Sequence, residues 1–206
     1  MSSSDVLFNG PEGAPVRLIL AHGAGGPMFS PFMKQMAEGI ASHGIRVARF
    51  NFPYMKAKKK VPDREPVLRQ AWHVAIESVG RGRPLFIGGK SLGGRMASLV
   101  ADDESVSGLV CLGYPFHPPG KPQQLRTAHL EGIRTPTLIV QGTRDPFGRR
   151  AEVESYSLSN AIRIVWIEGG DHSLKPAGNP ASLDVAIEAV AEFVRSAVGA
   201  PSARKS

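Results

Sequence analysis

The sequence contains little cysteine and no long hydrophobic segment. Its single cysteine, Cys111, excludes an internal disulfide and lies in an apolar run, where we expect a buried thiol. No apolar stretch approaches the roughly 20 residues that a bilayer-spanning helix needs. Residues 1–5 have neither the basic start nor the apolar core of a secretory signal. These absences favour a reducing cytoplasm and argue against a membrane protein.

Acidic residues are in the minority. The 206-residue chain has 25 Lys and Arg against 18 Asp and Glu, a formal net charge of +7. The basic residues are scattered apart from the run Lys56–Lys60 and the small clusters Arg149-Arg150 and Arg204-Lys205. There is no zinc-finger spacing and no RNA-recognition signature, so we expect no nucleic-acid partner. The run Lys56–Lys60 is interpreted as a solvated loop, and the positive field as a hint that anionic substrates are tolerated.

Short apolar runs bounded by glycine and proline alternate with longer segments of helical periodicity. The predicted strands are Val16–Ala21, Arg46–Phe52, Leu85–Gly88, Gly108–Gly113, Thr137–Gln141 and Ile162–Ile167, with Val6–Phe8 as a further edge strand. The predicted helices are Pro31–His43, Glu65–Val79, Leu92–Asp102, Arg149–Ser159 and Ser182–Val198. This alternation predicts an α/β fold with a mostly parallel sheet and helices on both faces. We expect one domain over residues 1–206, a basic loop at Phe52–Pro62 and a frayed tail at 199–206.

One strand is predicted to enter a helix through the turn Gly89-Lys90-Ser91-Leu92-Gly93. A serine hydroxyl is a weak nucleophile unless it is presented to both a base and an electrophile. A sharp strand-to-helix turn does this, and it needs small residues two before and two after the serine. The bare pattern also fits a packing turn, but its place between strand and helix favours Ser91 as a nucleophile.

Two later loops supply a base and an acid for this serine. His172 is the one histidine of six that lies in a glycine-rich loop between the last predicted strand and the last helix, although a lone loop histidine also fits a surface residue. Asp145 follows the strand Thr137–Gln141 and would orient the imidazole, or alternatively begin a helix. Asp171 is a poorer candidate because it is adjacent to the histidine. The order Ser91, Asp145, His172 favours a triad.

The loop His22-Gly23-Ala24-Gly25-Gly26 is rich in small residues, which let backbone N–H groups approach a substrate. The expected oxyanion donors are the amide of Leu92 and that of Ala24 or Gly23. A phosphate-binding loop would require a closing Lys-Ser or Lys-Thr pair, and the dinucleotide fingerprint is not completed. We therefore expect an oxyanion hole, no metal and no cofactor.

From about residue 15 to residue 197 the sequence resembles the α/β-hydrolase superfamily. The segments that carry the resemblance are His22–Gly26, Gly89–Gly94, Gly142–Pro146 and Gly170–His172, which follow the family order. The resemblance implies a three-layer fold and gives Ser91, Asp145 and His172 the roles of nucleophile, acid and base, with Ala24 and Leu92 as oxyanion amides.

More narrowly, the chain resembles small, uncapped bacterial hydrolases related to dienelactone hydrolases. That group is also similar to a eukaryotic chromatin-complex subunit and to a testis-expressed protein. Dienelactone hydrolases proper have a cysteine where this chain has Ser91, so their lactone chemistry is not carried over.

The predicted site is open, because only Tyr114–Arg134 separates two strands where many relatives insert a lid. We expect at most a short helix near Gln123–Glu131. The side chains expected to line the pocket, or else to be ordinary packing, are Met28, Phe29, Tyr54, Phe116, His117, Phe147 and Leu174. Lys90 either influences the site or, as we favour, points away and pairs with a carboxylate.

The sequence thus predicts a serine hydrolase that cleaves a small carboxylic ester or related acyl substrate. Esterase, thioesterase and peptidase activities stay open, as does the oligomeric state. The alternative is a non-catalytic α/β-hydrolase-fold protein used for binding or as a scaffold.

Overall fold

Seven strands form one sheet in the computed structural model, which describes residues 6–176 and 182–199. The strands are β1 (Val6–Asn9), β2 (Arg17–Ala21), β3 (Arg46–Phe50), β4 (Leu85–Lys90), β5 (Gly108–Leu112), β6 (Thr137–Gly142) and β7 (Ile162–Ile167). Their order across the sheet is β1-β3-β2-β4-β5-β6-β7. Strands β2 to β7 are parallel, and the edge strand β1 pairs antiparallel with β3. The predicted mostly parallel sheet is confirmed.

Helices cover both faces of this sheet. They are α1 (Pro31–Ala41), α2 (Pro53–Lys56), α3 (Glu65–Val79), α4 (Leu92–Ser98), α5 (Arg150–Val153) and α6 (Ser182–Gly199). Consecutive strand residues Leu18 and Ile19 are both fully buried, the first under α1 and α6 and the second under α3 and α4. The near-continuous apolar runs follow from this double burial, because a strand in the middle of three layers has no solvent face.

Several predicted boundaries are corrected by local hydrogen bonds. The helix predicted at Arg149–Ser159 is only α5, since the serine-rich segment after it forms turns instead. Helix α4 ends at Ser98 rather than Asp102, whose carboxylate accepts from the amide of Thr135 at 2.8 Å. The expected loop Phe52–Pro62 contains α2, which begins at Pro53, where a missing N–H costs nothing.

Two further predictions concern the C-terminal end of the chain and the segment where many relatives insert a lid. Gly199, predicted as frayed, closes α6, and residues 200–206 lie outside the described part. The segment between β5 and β6 contains one 3-10 helix, Ala128–Leu130, which agrees with the prediction of at most a short helix near Gln123–Glu131, and no cap domain. Across residues 6–176 and 182–199, no helix is both long and apolar enough to cross a membrane.

The carboxyl ends of β2, β4, β6 and β7 share one edge of the sheet, because these strands are parallel. The loops after these four strands hold the residues that the sequence singles out for chemistry. The fold therefore gathers them at one place.

Candidate active site

Ser91 lies on a strained turn between β4 and α4. Its backbone has φ 48° and ψ −111°, a left-handed conformation that non-glycine residues rarely adopt. A Cβ added to Gly89 would lie 2.1 Å from the carbonyl oxygen of Ala21, and one added to Gly93 would lie 2.4 Å from the same atom. Only glycine fits at either position. The turn is so close to β2 that small residues are a steric requirement of the motif.

The imidazole of His172 bridges Ser91 and Asp145. Its Nε2 lies 2.9 Å from Ser91 Oγ, and its Nδ1 lies 2.8 Å from Asp145 Oδ2. An ionised carboxylate only accepts, so Nδ1 carries the ring proton and donates to Asp145. Nε2 is then an acceptor facing the serine hydroxyl. The ring also stacks on Phe147, with 4.1 Å between centroids, which fixes its plane.

Asp145 is fully buried and held by three donors. Besides His172, the side-chain amide of Gln141 donates to Oδ2 at 2.9 Å and the backbone amide of Phe147 donates to Oδ1 at 2.9 Å. Gln141 is itself fully buried at the end of β6. Gln141 was not predicted from the sequence, although a single amide side chain at the end of an apolar strand was the available signal.

The contacts support neither a helix-capping role for Asp145 nor Asp171 as the acid. Helix α5 begins at Arg150 with Arg149 as its N-cap, so Asp145 does not cap it. Asp171 accepts from the amides of Ser173 and Lys175 and shapes the turn that carries His172.

The loop after β2 lies against the serine. A Cβ added to Gly23 would be 3.7 Å from Ser91 Cβ, and Gly23 and Ala24 line the same cavity as Ser91. In the described part of the chain, the amides of Ala24 and Leu92 have no backbone or side-chain acceptor. Two N–H groups thus remain available beside the serine hydroxyl.

Buried side chains hold this loop in place. His22 Nε2 accepts from the amide of Phe52 at 3.1 Å, so Nδ1 carries the proton and donates to the Gly23 carbonyl at 2.7 Å. Burial lowers the pKa of His22, which keeps the ring neutral. The Tyr54 hydroxyl donates to the Ala24 carbonyl at 3.2 Å, and burial raises the pKa of Tyr54 to about 12. Both donors are therefore present at neutral pH.

Lys90 contacts the loop that carries His172. Its ammonium donates to the backbone carbonyl of His172 and lies 5.6 Å from the centroid of the Phe32 ring. Burial lowers the pKa of Lys90 to about 8, against the opposing attraction of Asp145 and Asp171. Among the described residues no carboxylate lies within ion-pair distance of this ammonium. The favoured interpretation, a side chain pointing away to a carboxylate, is wrong.

A cavity of about 680 Å³ opens above Ser91. Phe147 is the one predicted pocket side chain that lines it. The start of α1, including Phe32, forms a further wall of the cavity that was not predicted from the sequence. Nothing in the sequence indicates that this helix start faces the serine.

The other predicted pocket side chains lie elsewhere. Five of them are buried in the protein interior: Met28, Tyr54, Phe116, His117 and Leu174. Phe116 contacts Tyr114 and Tyr156, and the His117 ring donates through Nδ1 to the Pro118 carbonyl. Phe29 is 61% exposed and borders a neighbouring cleft. These residues are corrected from lining to packing or to that second cleft.

The remaining candidates for chemistry lie outside this cavity. Cys111 is buried on β5, and burial raises the pKa of its thiol. No group of three or more His, Cys, Asp or Glu side chains suited to a metal ion occurs within residues 6–176 and 182–199.

Comparison with known proteins gives one family and several similar folds. Residues 14–198 match the family described as alpha/beta hydrolase domain. An α/β serine hydrolase homologue from Coxiella burnetii is 21% identical, with a TM-score of 0.73 over 91% of this chain and 89% of that chain. A serine hydrolase without a lid from Xanthomonas campestris is 21% identical, with a TM-score of 0.75 over 95% and 90%. A dienelactone hydrolase from Anabaena variabilis is 21% identical, with a TM-score of 0.70 over 93% and 90%.

Proposed function

This chain belongs to the alpha/beta hydrolase family, and from that premise we propose that it is a serine hydrolase of small carboxylic esters or related acyl compounds. The observation that carries the proposal is the continuous hydrogen-bonded path from Ser91 through His172 to Asp145, at 2.9 Å and 2.8 Å. A buried carboxylate, a ring of defined tautomer and a strained serine are what acyl transfer requires.

The proposed reaction proceeds through an acyl-enzyme. Ser91 Oγ attacks the substrate carbonyl carbon while His172 Nε2 takes the hydroxyl proton. The amides of Ala24 and Leu92 donate to the oxyanion, each contributing about 10²–10³ in rate. The bond to the leaving group then breaks, and His172 returns its proton to that group. Asp145 stabilises the imidazolium that forms in between.

Water completes the cycle. His172 takes a proton from the water as its oxygen attacks the acyl-enzyme, and the proton returns to Ser91 Oγ as the carboxylic acid leaves. The site has no cap domain above it, so water has direct access to the acyl-enzyme. This openness supports small or surface-exposed acyl groups over long chains that need a tunnel.

We also propose three properties that the sequence predicts. The chain is a single domain, its substrate is a small molecule with no nucleic-acid partner, and its location is cytoplasmic. The buried thiol of Cys111 is compatible with a reducing compartment.

Hydrolysis of p-nitrophenyl acetate tests the function. We expect turnover by the wild type and a fall of at least about 10³-fold in Ser91→Ala. Ser78→Ala is the matched control, because this exposed serine on α3 only donates to the Val74 carbonyl. Equal activity in wild type and Ser91→Ala would contradict the assignment. Absence of activity from the wild type towards ester, thioester and peptide substrates would favour the scaffold alternative.

A further inference from the structure

A second cleft adjoins the cavity above Ser91. It has a volume of about 500 Å³ and shares the loop residues Ala24 and Gly25 with that cavity. We call it the basic cleft, and its lining residues are Ala24, Gly25, Pro27, Phe29, Asn51, Met55, Lys58, Lys59 and Lys60. The run interpreted from sequence as a solvated loop therefore forms a wall of a concavity beside the candidate active site.

The three lysines of the basic cleft have no acidic counterpart. Among the described residues no carboxylate lies within ion-pair distance of Lys58, Lys59 or Lys60. Asp63, the acidic residue that follows them in the chain, accepts instead from the amide of Tyr54 at 2.8 Å. All three side chains are exposed, and positive charge that no carboxylate compensates attracts an anion to the cleft that they line.

The backbone that carries these lysines is folded rather than extended. The amide of Lys59 donates to the Tyr54 carbonyl at 2.8 Å, and the amide of Lys58 donates to the Met55 carbonyl at 3.1 Å. The turn is therefore fixed to α2, whose Tyr54 also contacts the Ala24 carbonyl. The same residue therefore contacts both segments: the backbone carbonyl of Tyr54 binds Lys59, and its hydroxyl binds the loop beside Ser91.

We propose that the basic cleft binds the leaving group of the substrate, and that this leaving group is an alcohol or thiol that carries a phosphate. The inference rests on the proposed function, in which the substrate carbonyl lies between Ser91 and Ala24. The acyl group then occupies the cavity lined by Phe32 and Phe147. The leaving group crosses Ala24 and Gly25 into the basic cleft, where ammonium groups bind the phosphate oxygens.

The exposed ring of Phe29 supplies an apolar wall for the part of the leaving group nearest the phosphate. The reaction balances without another co-reactant. Water adds to the acyl group, and the phosphorylated alcohol or thiol departs with the proton from His172.

Matched substrate pairs test this inference. One pair is S-acetyl-phosphopantetheine and S-acetyl-pantetheine, and the other is acetylglycerol phosphate and monoacetylglycerol. The members of a pair differ by one phosphate. In at least one pair we expect KM to be at least about 10-fold lower for the phosphorylated member, and the ratio to fall as sodium chloride is raised.

The variant that removes the cleft charges is Lys58→Gln/Lys59→Gln/Lys60→Gln. It is expected to bring the KM ratio close to one, with an unchanged far-UV circular dichroism spectrum to show that the variant is folded. The control variant Lys121→Gln/Arg134→Gln/Arg163→Gln removes three charges outside both cavities and should keep the ratio.

Three results would overturn the inference: equal KM values within both pairs, an unchanged ratio in the cleft variant, or equal loss of the ratio in the control variant. Loss of single-stranded RNA binding in the cleft variant with unchanged KM values would likewise overturn it, in favour of a nucleic-acid site. Failure of the proposed function is distinguished by a wild type that does not hydrolyse p-nitrophenyl acetate.

Discussion

Replacing Lys90 with methionine should make the protein more stable and less active. Methionine has nearly the volume of lysine but neither charge nor donor. The change removes the hydrogen bond to the His172 carbonyl and leaves the side chains of Ser91 and Asp145 untouched. Among the described residues outside the segment 171–176, Lys90 is the only one whose side chain hydrogen-bonds to the backbone of that segment.

The gain in stability follows from the pKa of Lys90. Burial lowers this pKa from 10.5 to about 8. Since one pKa unit corresponds to 1.36 kcal/mol, burying the charged form of Lys90 costs the folded state at most about 3 kcal/mol. The cost is fully present below about pH 8 and fades as the pH rises towards 10.5. Loss of the hydrogen bond from the charged donor offsets about 1.5–3 kcal/mol of this cost, so we expect a net gain of up to about 1.5 kcal/mol at pH 7.

The loss of activity follows from the same contact. A hydrogen bond from a charged donor is worth about 1.5–3 kcal/mol, so kcat is expected to fall about 10- to 100-fold with little change in KM. In the wild type, kcat should also decline above about pH 8 as the ammonium loses its proton. The variant lacks this donor at every pH and should lack that decline.

Urea unfolding at pH 7 and p-nitrophenyl acetate kinetics from pH 6 to pH 9 measure both effects, with the exposed Lys121→Met as control. An unchanged kcat would refute the positioning of His172 by Lys90. A less stable variant would refute the assigned cost of burying the ammonium.

Three further substitutions test other contacts of the site. Asp145→Asn should lower kcat about 10³–10⁴-fold in the esterase assay with an unchanged circular dichroism spectrum, because an amide neither orients nor stabilises the imidazolium. Gln141→Leu removes a donor to the buried carboxylate and should cost about 1–3 kcal/mol in urea unfolding; an unchanged free energy of unfolding would contradict the contact. Gly89→Ala places a Cβ 2.1 Å from the Ala21 carbonyl oxygen and should cost more than about 3 kcal/mol, whereas Gly13→Ala, which meets nothing within 4 Å, should change stability by less than about 0.5 kcal/mol.

The sheet and the meeting of three distant residues were predictable from the sequence. Strands buried on both faces leave near-continuous apolar runs, and parallel strands bring their carboxyl ends to one edge. The loops holding Ser91, Asp145 and His172 each follow such a run, so their proximity follows from topology alone.

The walls of the cavity were not predictable, because they depend on directions that a sequence pattern does not contain. Phe116 and His117 lie in a proline-rich connection that folds back into the interior, where both are buried. Phe32 reaches the cavity only because α1 starts beside Ser91. The direction of the Lys90 side chain was predicted wrongly for a different reason. Lysines are seldom buried, and nothing in the sequence marks this one as an exception.

The most direct test of the central claim is the mass of one tryptic peptide after treatment with a fluorophosphonate. Cleavage after Lys90 and Arg95 releases Ser91-Leu92-Gly93-Gly94-Arg95, in which Ser91 is the one hydroxyl side chain. If Ser91 is the activated nucleophile, this peptide carries the phosphonyl adduct in the wild type, and Ser91→Ala protein is unlabelled. An adduct on any other peptide, or none in a folded wild type, would contradict the assignment.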